Sequence, residues 1–168
     1  IKKVQIEKYF EERKGDMGVL VETVNTLRTE AFRKLEAMRN IKKSQIEAWF
    51  GERMGDITVL AANESVAEAM IAINRAFDQD GGQVGGKHWK AAVDRHTAWL
   101  DKYNNEYGYY DLFMITAKGD VVYTVSKESD LGENLMRGSL NSSGLGKAFS
   151  GGLNEATLVD FAPYTPSN

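Results

Sequence analysis

Apolar side chains at Met17, Leu20, Val24, Leu27, Ala31, Leu35, Met38 and Ile41 follow one another in steps of three and four residues. That spacing lines up one narrow face of an α-helix. No glycine or proline interrupts residues 19–50, and both prolines, Pro163 and Pro166, fall in the last six residues. Nothing earlier therefore removes a helical hydrogen bond through proline. A single helix from about residue 2 to about residue 61 is expected, about 90 Å long at 1.5 Å per residue. Gly15 and Gly51 mark the places where it would instead break, giving a helical hairpin.

The pattern changes after residue 62. Asn63-Glu-Ser65-Val-Ala-Glu68 offers helix caps, with Ser65 and Glu68 spaced as a capping box, ahead of Val66, Met70, Ile71, Ile73 and Phe77. A second helix is expected to about Phe77. The glycine-rich run from Asp78 to Gly86 reads as a linker, because neither a preceding strand nor a following Lys-Ser or Lys-Thr makes it a phosphate-binding loop. Trp89, Ala92, Val93, His96, Trp99, Leu100 and Tyr103 predict a third helix ending near Asn104 and Asn105. Residues 109–116 and 121–125 are aromatic and β-branched around a turn at Ala117-Lys-Gly-Asp120, which predicts a β-hairpin. Residues 144–149 suit a short helix, and Ala156-Thr-Leu-Val-Asp-Phe161 suits a third strand. Three strands rarely stand alone as a sheet, so the sheet is expected to continue beyond residue 168. The expected class is α+β: a long amino-terminal helix and shorter helices packed on an antiparallel sheet.

Self-comparison exposes a duplication. Residues 1–20 align with residues 41–60 at 13 of 20 positions without a gap. Forty residues are close to eleven helical turns, so an unbroken helix presents both copies on nearly the same face. Two copies are too few for a solenoid, and a repeated helical segment serves packing, with a twofold partner helix as its simplest neighbour. The chain thus divides into residues 1–62, the duplicated helical segment, and residues 63–168, with helices over 63–105 and a sheet over 107–168.

Composition narrows the chemistry. The chain has 168 residues, 21 Lys plus Arg, 24 Asp plus Glu, and no cysteine. Disulfides, zinc–thiolate sites, thiol nucleophiles and covalently attached c-type haem are excluded. Charges of both signs are interspersed, without the basic stripe that phosphate contacts require, so nucleic acid is not an expected partner. No run approaches the ~20 apolar residues of a membrane-spanning helix, and no secretory leader stands at residue 1. The two histidines, His88 and His96, lie about 80° apart around the third helix and do not form a metal pair. No nucleophile elbow occurs, and no arrangement of carboxylates or serines points to catalysis, so neither an enzyme nor a cofactor is expected. What remains is a set of polar residues among aromatics: Asp111, Tyr123, Lys127, Asp160 and Tyr164, with Tyr107, Tyr109 and Tyr110 beside them. Convergent polar groups among aromatics suit a small-molecule pocket; the same residues also suit strand caps and a tyrosine-covered sheet face. His96, on the apolar stripe of the third helix, either packs in the core or meets a ligand.

The run from Tyr107 to Gly132, Tyr-Gly-Tyr-Tyr-Asp-Leu-Phe-Met-Ile-Thr through Ser-Asp-Leu-Gly, resembles the strand-turn-strand core of the extracytoplasmic Cache and PAS-like sensor domains of bacterial methyl-accepting chemotaxis proteins. Asp160-Phe-Ala-Pro-Tyr-Thr-Pro-Ser167 is similar to a strand and loop of that family. Gln45-Ile-Glu-Ala-Trp-Phe50 and Gly55-Asp-Ile-Thr-Val-Leu60 resemble its leading helix. The resemblance implies a PAS-like sheet and a periplasmic sensor module whose transmembrane helices lie outside this chain. It also implies a small ligand, an organic acid, amino acid or amine, coupled through the long helix to signalling in chemotaxis. With the reading of the residues, it places Tyr110, Asp111, Tyr123, Lys127, Asp160 and His96 at the ligand, with a homodimer formed through the long helix. A ligand acts on such a helix only through different affinities for two arrangements, so its site is expected where helix and sheet touch. The competing reading is a dimerisation or protein-interaction module without a ligand. The same sensor could also serve a histidine kinase or diguanylate cyclase.

Overall fold

The computed structural model describes residues 2–167. The chain forms α1 (Lys2–Ala61), α2 (Glu64–Gln79), α3 (Lys87–His96), α4 (Ala98–Tyr107), β1 (Phe113–Ile115), β2 (Val121–Thr124) and α5 (Gly144–Gly152), closed by a 3-10 turn at Thr165–Ser167. By contacts it separates into two compact units, Ile1–Gly51 and Glu52–Asn168.

The first unit is helix alone. α1 passes through Gly15 and Gly51 without a break, so the helical-hairpin alternative does not hold. Glycine in a helix interior costs about 1 kcal/mol relative to alanine, too little to stop so long a run. Its apolar seam is uncovered: Leu20, Leu27, Leu35 and Met38 are all more than half exposed.

The second unit starts with the last turns of α1, eleven residues before the change in composition. Asn63, rather than Ser65, caps α2, its side chain accepting from the Ser65 amide at 2.8 Å. Ala69, Ile73, Ala76 and Phe77 then form the buried stripe. The glycine-rich segment expected as a linker is an ordered cap. Asp80 reaches forward to accept from the Trp89 amide at 2.7 Å and to pair with His88 Nδ1 at 2.7 Å. The Trp89 hydrogen bond, above the others, holds the Asp80 carboxyl below its ordinary range. A Cβ at Gly86 would stand 2.3 Å from that carboxylate, so this approach requires glycine.

The single third helix of the sequence reading is two, α3 and α4, joined at Thr97. The buried side chains Trp89, Val93, Thr97, Leu100 and Asn104 keep helical spacing straight through the joint. The break therefore leaves no trace in the hydrophobic pattern. It comes from Thr97, whose hydroxyl donates to the Val93 carbonyl at 2.9 Å while its ψ opens to −9°. Such back-bonding bends helices.

β1 and β2 pair antiparallel, Phe113 with Thr124 and Met114 with Tyr123, with an irregularity at Ile115. Beyond β2, the Val121 amide donates to Glu133 O and the Gly132 amide to Val121 O, both at 2.9 Å. That side of the ladder is thus taken by a loop. Among the described residues the sheet has two strands. The third strand expected at 156–161 does not form: those residues make no ladder, and Phe161 is 91% exposed. Strand propensity expresses itself only against a neighbouring edge and a covered face. The core is built from Ala69, Ile73, Phe77, Trp89, Val93, Leu100, Met114, Val122 and Tyr123. It is helix-on-hairpin packing of α+β type.

Candidate functional site

Two cavities in the second unit flank the start of the hairpin, and Asp111 and Phe113 line both. The first, of about 380 Å³, lies where the end of α1 meets β1. Arg53, Ile57 and Leu60 come from α1, Leu100 and Tyr103 from α4, and Leu112 and Met114 from the hairpin. Its walls are mostly apolar, with a few polar groups among them, the usual make-up of a small-molecule pocket.

Two of those polar groups, Arg53 and Tyr109, are joined through Asp56 in one network. The Arg53 guanidinium donates to Asp56 from Nε at 3.0 Å and from a terminal nitrogen at 2.8 Å. The Tyr109 hydroxyl donates to the same Asp56 oxygen at 2.7 Å. Arg53 also lies over the Tyr109 ring, 5.5 Å from its centre, within range of a cation–π attraction. Burial, and then the bond to Asp56, push the Tyr109 hydroxyl up to about 12; burial also raises that of Tyr103. Tyr109 therefore stays a neutral donor at any physiological pH. Tyr103, Tyr107 and Tyr109 stack, with Tyr103 and Tyr107 4.5 Å apart. The network ties the last turns of α1 to the entry of the hairpin.

The second cavity, of about 470 Å³, lies between the hairpin entry, α5 and residues 157–167. Its polar residues include Tyr110, Asp111, Asp160 and Tyr164. The tail is held by two hydroxyl–carboxylate bonds: Tyr164 donates to Asp130 at 2.6 Å and Ser167 to Glu128 at 2.8 Å. Glu128 also accepts from Tyr110.

The six residues singled out from the sequence thus part company. Tyr110, Asp111 and Asp160 share the second cavity, and Asp111 alone reaches the first. Tyr123 is buried at 1% exposure, its hydroxyl donating to Asp101, and belongs to the core. Lys127 is exposed, with a left-handed φ of 52° on the turn after β2. His96, half-buried at the end of α3, lines neither cavity. Asp111 itself is a clamp. One oxygen accepts from the amides of Leu112 at 2.7 Å, Val125 at 2.8 Å and Ser126 at 3.0 Å, and the other accepts from the Thr124 hydroxyl.

Sequence reasoning missed Arg53, Asp56 and Asp130. The first two look like solvated helix charges; their recurrence as Arg13 and Asp16 in the duplication was the available signal. Asp130 sits in a segment that reads as polar loop, yet it is fully buried, and one carboxylate oxygen has no hydrogen-bond partner. Burial raises its pKa above the ordinary 3.8, the Tyr164 bond opposing and Asp111 and Glu128 adding to the rise. The folded state thus holds this proton more tightly than the unfolded chain. Its contribution to stability is full below the unfolded value and is lost as pH rises through the raised one. Urea midpoints of the wild type are expected to lose ground to those of Asp130→Asn from pH 4 to pH 7; parallel curves would refute this.

Comparison with known protein families, with characterised proteins and with solved structures gave no match. Among the described residues no three His, Asp or Glu side chains are placed to hold a metal ion, and no helix is long and apolar enough to cross a membrane.

Proposed function

We propose that this chain is the ligand-sensing part of an extracytoplasmic receptor of the chemotaxis type, and that its ligand occupies the cavity between the end of α1 and the hairpin. The observation that carries this reading is the composition of that cavity: one wall is the last turns of the long helix and the facing wall is the sheet. A ligand there touches both elements and can favour one packing over another. The chemotaxis setting, the periplasmic location and the membrane anchors rest on the resemblance of residues 107–132 to Cache and PAS-like sensors.

The walls favour one ligand class over another. A body small enough for about 380 Å³, largely apolar and ending in a carboxylate, suits Leu60, Leu100 and Met114 with the Arg53 guanidinium on the same lining. Such a carboxylate competes with Asp56 for the guanidinium, and guanidinium–carboxylate pairing is strong and directional. Displacing Asp56 would loosen the link to Tyr109, which couples occupancy to the helix. Organic acids and apolar amino acids are therefore preferred over amines.

A thermal-shift screen of carboxylic acids, amino acids and amines tests this. A ligand at a hundredfold excess over its Kd adds about 2.7 kcal/mol to apparent stability. Ile57→Trp, which fills the cavity from a half-exposed position, is expected to abolish the shift while the chain stays folded. No shift from any compound, or a shift that survives Ile57→Trp and vanishes in Asp160→Ala, would overturn the assignment, the latter in favour of the second cavity.

The uncovered seam of α1 favours a second reading that is compatible with the first. In it a second copy of the chain packs along Leu27, Leu35 and Met38, and the long helix serves as a dimerisation element.

A further inference from the structure

The duplication repeats more than a helical face. Counting forty residues back from the segment that grips the hairpin, Arg53, Asp56 and Leu60 return unchanged as Arg13, Asp16 and Leu20, and Ile57 returns as Met17. The positions that differ most, such as Lys8 against Ala48, Glu11 against Gly51 and Gly18 against Thr58, are exposed in both copies. In the second copy the shared residues do specific work. The Arg53 and Asp56 side chains are only 22% and 21% exposed, Asp56 accepts from Tyr109, and Leu60 is 8% exposed. In the first copy the same ion pair is set on the helix, Arg13 to Asp16 at 3.4 Å, with side chains 58% and 65% exposed. Met17 and Leu20 stand 58% and 55% exposed.

We propose that residues 13–21 are a second docking arm, built to grip a sheet module of the same surface chemistry as this chain's own. The partner it fits presents a phenol hydroxyl to Asp16, an aromatic face to Arg13, and an apolar groove to Met17 and Leu20. This partner is not the chain's own second unit, nor that of another copy, because in each copy that face is already covered by residues 53–61. It is a separate module, in the same polypeptide or another. The inference is independent of what the cavity binds.

Four substitutions, Met54→Lys, Ile57→Met, Thr58→Gly and Ala61→Val, make residues 52–61 of the full chain read as residues 12–21. If the first copy is a docking arm, this variant keeps a cooperative unfolding transition for the second unit. Its midpoint should fall by less than that of Asp56→Ala in the parent, and adding Asp56→Ala to it should lower the midpoint as it does in the parent. Omitting Thr58→Gly separates helix propensity from docking. If the triple variant also loses the transition, or no longer responds to Asp56→Ala, the proposal is overturned. Sedimentation equilibrium of the full chain tests the partner: a dimer that dissociates on Asp16→Ala would overturn the separate module and make a second copy the occupant.

Discussion

Asp111→Ala is expected to lower the unfolding free energy of the second unit by about 3 kcal/mol, a loss that needs no ligand to be seen. A hydrogen bond to a charged group contributes about 1.5–3 kcal/mol, and such contributions are not additive. Asp111 receives three amide bonds and one hydroxyl bond. The Val125 amide keeps a second acceptor, Leu112 O at 3.2 Å, which limits the loss. The Leu112 and Ser126 amides and the Thr124 hydroxyl do not have that recourse within the clamp. Against a typical domain stability of about 5–15 kcal/mol, the loss is large enough to read directly from urea unfolding followed by near-ultraviolet circular dichroism. Asp111→Asn, which keeps an acceptor oxygen but not the charge, should fall between the two. If Asp111→Ala unfolds at the parental midpoint yet abolishes a ligand shift, the carboxylate is a ligand group and not a clamp.

That expectation also shows what could be read in the sequence. The position of Asp111, the one charged residue inside the aromatic and β-branched run 109–116, marks it as important in either role. Its partners lie as far along the chain as Ser126 and depend on the hairpin register, which no local pattern carries. Helix α1 was legible because apolar residues step by three and four from Met17 to Ile41 and no proline interrupts any of its sixty residues. The joint at Thr97 was illegible because the period runs through it unchanged. Asp80 was illegible for the opposite reason: it lies in a segment whose composition says loop, and its bonds to His88 and Trp89 form only when the glycines fold back. The unformed third strand is a third kind of failure, since Ala156–Phe161 has the right residues and no edge to pair with among those described. The junction of helix and sheet was predicted as the place for a ligand by a mechanical requirement. Its lining residues Arg53 and Ile57 could not be named, because on an amphipathic helix they look like every other turn.

The largest effect is expected at Trp89, which joins three parts of the second unit. Its ring packs in the core at 7% exposure, its indole N–H donates to Val122 O of β2 at 2.8 Å, and its amide is the group capped by Asp80. Trp89→Ala leaves the amide in place but removes the ring and strands a buried carbonyl. Core aromatic-to-alanine changes cost about 3–5 kcal/mol, and an orphaned acceptor adds about 1–3 kcal/mol. A total near 5 kcal/mol would bring a domain of ordinary stability close to its unfolding threshold at 25 °C. Trp89→Phe separates the two parts: most of the packing remains, and the loss should be near the hydrogen-bond term alone. The strand it reaches, β2, is paired through β1 to the wall of the first cavity. Loosening it from α3 leaves the Tyr123–Asp101 bond to α4 and, at the hairpin entry, the Tyr109–Asp56 bond to α1. Hydrogen exchange should therefore rise at Val121–Thr124 in Trp89→Phe while the Tyr109 region stays protected. Equal loss of protection at both would mean that hairpin and helix end open as one piece, leaving a ligand between them no second packing to select.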